Sequence, residues 1–123
     1  MKNKKAKIIL MLSMLILIGG AIPIYAYSGH FSFNIIYSVR GKTKHALKKG
    51  NVTVSRYGNS STGKATYTVE LGKGILGKSF GEKTANGKTY KTTKAVSKGS
   101  YTVIVTKNKG ENVRVVGEGN IKQ

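Results

Sequence analysis

Phe31-Ser32-Phe33-Asn34-Ile35-Ile36-Tyr37-Ser38-Val39 sets Phe31, Phe33, Ile35, Tyr37 and Val39 in alternation with Ser32, Asn34, Ile36 and Ser38. A period of two with one apolar intruder, Ile36, is what a half-buried β-strand requires, because successive side chains take opposite faces of a sheet. The stretch predicts a strand with a core-facing side, and the chain after it repeats that period rather than a helical one.

Asn51 to Tyr57 carries Val52, Thr53 and Val54 and runs into Gly58-Asn59-Ser60-Ser61-Thr62-Gly63, a series of turn formers. Ala65, Tyr67, Val69 and Leu71 then alternate with Thr66, Thr68 and Glu70, so a hairpin between the two strands is expected. Lys88 to Lys98 holds Thr89, Tyr90, Thr92, Thr93 and Val96, which favour strand over helix. Its lysines suit a polar edge strand, where they discourage pairing with another chain. Ser100 to Lys107 alternates Tyr101, Val103 and Val105 with Thr102, Ile104 and Thr106, and Ile104 on the second face points to a central strand. Asn108-Lys109-Gly110 reads as a turn, Glu111 to Glu118 as the last strand, and residues 119–123 as a tail. Tyr67 to Leu71 resembles Tyr101 to Val105, which duplication and convergence on strand formers explain equally well.

Two segments break the pattern. Arg40 to Gly50 is basic and has only Ala46 and Leu47 to bury, so it reads as a loop or a single turn. Gly72 to Gly87 has five glycines and three large apolar residues, Ile75, Leu76 and Phe80, and reads as an irregular connection. Six or seven short strands, glycine turns and no proline after Pro23 make the fold class all-β, a small antiparallel β-sandwich or barrel, with one domain over residues 27–123.

Residues 1–26 are set apart from that domain. Lys2, Lys4, Lys5 and Lys7 precede an apolar run from Ile8 to Ile18 broken only by Ser13, and Gly19, Gly20 and Pro23 follow. This is the layout of a secretory signal peptide, with cleavage expected after Ala26 and a second possible site after Ser28. The alternative is an uncleaved anchor, for which Ile8 to Ile18 falls short of the roughly 20 residues a spanning helix needs. Both versions put the domain outside the cell, since the lysine head stays in the cytoplasm. Zero cysteines in an exported chain this small favours a Gram-positive bacterium.

The 22 Lys and Arg residues outnumber 4 acidic ones and give +18, of which +14 remains on residues 27–123. All four acidic residues are glutamates (Glu70, Glu82, Glu111, Glu118), so no aspartate exists for a triad or a metal site. Gly72-Lys73-Gly74-Ile75-Leu76-Gly77-Lys78-Ser79 matches the phosphate-loop pattern, but a phosphate loop must open a helix, and the glycines on either side of Phe80-Gly81-Glu82 leave no room for one. His30 and His45 could support two-histidine acid–base cleavage of RNA; they read instead as ordinary solvated side chains, in a flexible start and a basic loop. Two histidines without a third ligand make no metal site. No cofactor, nucleotide or metal is expected, and no enzymatic activity.

What the charge does suggest is binding. Lys42, Lys44, Lys48 and Lys49 fall in one loop, Lys88, Lys91, Lys94 and Lys98 in one strand, and Lys107, Lys109 and Arg114 near the last turn, with tyrosines between them. Clustered lysines with aromatics draw polyanions through charge and counterion release, and lysine's point charge gives little bidentate readout. The expected partner is an anionic extracellular or envelope polymer, or an anionic membrane surface. The alternatives are a membrane-active, bacteriocin-like protein and a secreted inhibitor or adhesion module acting through residues 73–80.

Overall fold

The computed structural model describes residues 27–123; the expected signal segment and its expected cleavage point at Ala26 lie outside them. Nine strands follow one another without an intervening helix: β1 (Ser28–Ile35), β2 (Ser38–Arg40), β3 (His45–Leu47), β4 (Gly50–Ser60), β5 (Thr66–Lys73), β6 (Leu76–Thr84), β7 (Asn86–Val96), β8 (Gly99–Lys109) and β9 (Val115–Lys122). They form two antiparallel sheets, a sandwich rather than a barrel, and nine strands rather than six or seven. One sheet has the order β1-β9-β4-β7 and the other β2-β8-β5-β6, with β3 continuing beyond β2 along the same margin of β8.

The opening strand divides where its alternation fails. Phe31, Phe33 and Ile35 are buried, Ile36 is half-buried, and Tyr37 and Val39 are exposed. The chain turns at Ile36-Tyr37 and enters the second sheet as β2. The expected hairpin between β4 and β5 is also replaced by a crossing, for β4 pairs with β7 and β9 whereas β5 pairs with β6 and β8. The lysine-bearing β7 is an edge strand and β8 a central one.

Three segments gain structure that their composition concealed. The basic loop contains β3, whose His45 and Leu47 are buried on either side of exposed Ala46. The glycine-rich connection contains β6, an edge strand that buries only Phe80 and so carries no alternation to read. The tail belongs to β9. Its inward positions are Val115, Gly117, Gly119 and Ile121, a period of two hidden because a Cβ at Gly117 would run into the Phe33 ring and one at Gly119 into the Phe31 ring. The same accommodation recurs at Gly58, where the Tyr67 ring occupies the space of a side chain. Aromatic rings thus pack on bare backbone through the centre of the sandwich.

His45 is not a solvated residue. It is 2 % exposed, and its Nδ1 is hydrogen-bonded to the Tyr27 hydroxyl at 2.6 Å. Burial lowers its pKa below the ordinary 6.5. The unfolded chain therefore takes up a proton first as the pH falls, so this residue's stabilising contribution is complete above pH 6.5 and declines as the pH drops below it. Denaturant melts between about pH 5 and 8 are expected to show that decline, and His45→Gln to remove the part due to this imidazole.

Candidate anion-binding seam

The two sheets stack so that β6 and β7, the free edges on one side, lie against each other. Register decides which side chains meet between them. On β6, Lys78 is opposite buried Leu71 and Lys83 opposite buried Tyr67, so both lysines are on the core-facing side of their sheet. On β7, Tyr90, Thr92 and Lys94 are opposite buried Arg56, Val54 and Val52, and Lys88 alternates onto the same face as Tyr90. The open side of the sandwich is therefore a seam faced by Lys78 and Lys83 from one sheet and by Lys88, Tyr90 and Lys94 from the other. The 11 residues of β7 give it a length of about 36 Å at roughly 3.3 Å per residue.

The seam has three parts. At the end where β5 passes into β6 it widens to a pocket of about 300 Å³ bounded by Leu71, Leu76, Val96 and Tyr101, with Lys73 and Lys78 at its rim. Lys73 Nζ donates to the Lys98 carbonyl at 2.7 Å and closes this end across the two sheets. At the other end Lys83 Nζ stands over the Tyr90 ring, 5.2 Å from its centroid, a cation–π contact. Between the two lies Arg56.

Arg56 is an inward-facing arginine on a central strand, 1 % exposed. Its Nη2 donates to the Phe80 carbonyl at 2.7 Å and to Thr92 Oγ1 at 3.1 Å, groups carried by β6 and β7, while Nη1 donates to the Val54 carbonyl. Among the described residues Nε has no hydrogen-bond partner, and neither has the buried Tyr67 hydroxyl. Desolvation lowers the Arg56 pKa and raises that of Tyr67 to about 12, yet a guanidinium keeps its proton in proteins. Among the described residues no carboxylate is a hydrogen-bond partner of Arg56. A fixed, unneutralised cation therefore sits beneath the lysines of the seam.

The eleven basic residues singled out in the sequence do not form one surface. Lys88 and Lys94 reach the seam, Lys91 is on the opposite face of β7, and Lys98 is in the turn after it. Lys48 and Lys49 connect β3 to β4, at the same end of the sandwich as Lys98. Lys42 and Lys44 belong to the margin formed by β2 and β3, across the sheet from β6. Lys107, Lys109 and Arg114 are at the far end, where Lys107 Nζ donates to the Val113 carbonyl and Arg114 Nη1 to Asn34 Oδ1. Lys83 and Arg56 are seam residues the sequence did not single out, and Lys73 and Lys78, which fall in the 73–80 segment named there for an inhibitor or adhesion module, were not among its basic residues. Lys78 and Lys83 belong to β6, which showed no alternation, and Lys73 ends β5 at the turn; Arg56 broke the Val52, Val54 series of β4 and gave the one available signal.

His30 and His45 both line a pocket of about 270 Å³ with Lys42 on the other side of the molecule. Both imidazoles are engaged: His45 by Tyr27, and His30 by Asn120 Oδ1 at 3.2 Å and Glu118 Oε1 at 3.5 Å. Among the described residues no group of three His, Asp or Glu side chains is placed to hold a metal ion, and no helix is long and apolar enough to cross a membrane. The phosphate-loop match forms the β5–β6 hairpin and opens no helix.

No family model matches the sequence, and no curated protein matches it. Solved structures do share the fold. The C-terminal CBM6 of LamC, a marine laminarinase from Zobellia galactanivorans, superimposes with a TM-score of 0.51 at 17 % identity over 80 % of this chain and 93 % of that one. The carbohydrate-binding module CBM6cm-2 from Cellvibrio mixtus lichenase 5A, in complex with cellotriose, gives 0.54 at 15 % identity over 81 % and 89 %. At such identities the likeness is one of architecture, a two-sheet antiparallel sandwich.

Proposed function

We propose that the chain is an exported, non-catalytic module that binds a linear anionic polymer, such as a teichoic acid, another envelope polymer or extracellular nucleic acid, along the β6–β7 seam. Residues 1–26 direct export as a signal peptide cleaved after Ala26, and residues 27–123 are the released domain. The observation that carries this reading is the convergence of Lys78, Lys83, Lys88 and Lys94 from two sheets above a buried guanidinium. Likeness of fold to carbohydrate-binding modules supports a polymer rather than a small molecule as ligand. Binding without catalysis agrees with the missing aspartates and the engaged imidazoles.

Lysines in an open seam neutralise a polyanion by releasing its counterions, so affinity must depend on salt. With about four contacts, binding to a soluble linear polyanion is expected to weaken roughly a hundredfold between about 50 and 200 mM salt, linearly on logarithmic axes. Affinity indifferent to salt would overturn the reading.

A further inference from the structure

At the end of the sandwich where the wide part of the seam opens, the β5–β6 turn lifts two aliphatic side chains clear of the protein. Ile75 is 101 % and Leu76 72 % exposed. Lys73 pairs with Leu76, so the turn holds only Gly74 and Ile75. Gly74 has φ +65° and Ile75 an ordinary negative φ, the arrangement of a tight hairpin turn with glycine first. The turn is braced from below by the bond from Lys73 Nζ to the Lys98 carbonyl. A short, fixed projection with two bare aliphatic residues at its apex gains nothing in water.

Its surroundings specify what it could enter. Lys73 and Lys78 flank the apex on the hairpin, and Lys98 is tied to Lys73. Lys48 and Lys49 follow Leu47, which is opposite Gly99, the residue after Lys98. The nearest carboxylate of the hairpin is Glu70, whose Oε1 approaches Gly77. The described chain also begins here, where the Gln123 amide donates to the Tyr27 carbonyl and the Gln123 side chain bonds both backbone groups of Lys48. Tyr27, the first described residue, thus lies at the end from which the apex projects.

We infer that this end docks on an anionic lipid bilayer, with Ile75 and Leu76 entering the interface and Lys48, Lys49, Lys73, Lys78 and Lys98 against the headgroup phosphates. Burying one large aliphatic side chain is worth roughly tenfold or more in partitioning, and each lysine near an anionic leaflet about fivefold. A shallow apolar apex inside a basic collar is the arrangement of a peripheral contact, not of a membrane span.

Sedimentation of the exported protein with vesicles of phosphatidylglycerol and phosphatidylcholine, against vesicles of phosphatidylcholine alone, tests the inference. The protein is expected to bind only the former. Ile75→Ser, at a residue outside the lining of the seam, is expected to reduce that binding roughly tenfold while leaving a soluble polyanion bound as before, which separates this contact from the seam. Because the chain has no tryptophan, Ile75→Trp supplies a single fluorophore whose emission should move to the blue on the anionic vesicles. Wild-type protein that ignores those vesicles, or an Ile75→Ser variant that binds them as well as wild type, overturns the inference, as does Trp emission that stays unshifted on binding.

Discussion

Gly117→Ala is expected to destabilise the domain by about 3 kcal/mol or more and to lower its Tm by roughly 15 °C, measured by thermal melts followed by circular dichroism. The added methyl meets the Tyr57 carbonyl oxygen of the neighbouring strand, the Phe33 ring 2.6 Å away and the Cα of Gly58 at 2.9 Å. A flexible side chain could turn aside, but a paired strand cannot move without breaking its ladder with β4, in which Gly117 is opposite Gly58. Phe33→Leu in the same chain should recover only part of the loss, because the clash with the carbonyl remains. Ser32→Ala, at an exposed position of β1, should stay within about 0.5 kcal/mol of the parent. A Gly117→Ala variant as stable as the parent would mean that β9 does not sit against β4 in this register.

The second large effect concerns the seam. Replacing Lys78, Lys83, Lys88 and Lys94 by glutamate is expected to weaken binding to a soluble linear polyanion at least a hundredfold, since four attractive contacts become repulsive at one place. The comparison that gives this meaning is the same number of reversals at exposed Lys42, Lys44, Lys64 and Lys109, which lie away from the seam. Both quadruple variants have the same net charge. If the seam is the site, the second set should retain affinity within about tenfold of the parent; equal losses would make binding a property of total charge and remove the seam as its seat. Near-ultraviolet circular dichroism, sensitive to the packed tyrosines, checks that each variant is folded.

The fold class was legible because apolar alternation survives wherever a strand has one wet and one buried face, as in residues 31–35, 65–71 and 100–107. It failed where physics replaced the alternating residue. In β9 the inward positions are partly glycine because rings from β1 occupy their space, so the strand reads as a tail. In β6 only Phe80 is buried, so the strand reads as a loop. The site was less legible still. Lysines at 88, 91, 94 and 98 were grouped because they share one strand, whereas strand geometry sends Lys91 to the other face and supplies Lys78 and Lys83 from a different sheet. Sequence neighbours share a loop, but seam neighbours share only a stacking of sheets, and composition carries no trace of that.

Arg56 also bears on how the seam behaves in concentrated electrolyte. Dissolved ions crowd around the exposed lysines and mask them beyond roughly 10 Å at 0.1 M, but they have no route to a guanidinium enclosed between β4, β6 and β7 and held by carbonyl and hydroxyl oxygens alone. Its field reaches an anion in the seam largely through protein, where attenuation is weak. On the proposed reading, the seam keeps an attraction for negative charge that brine does not extinguish, a reserve beneath the part of its affinity that brine removes.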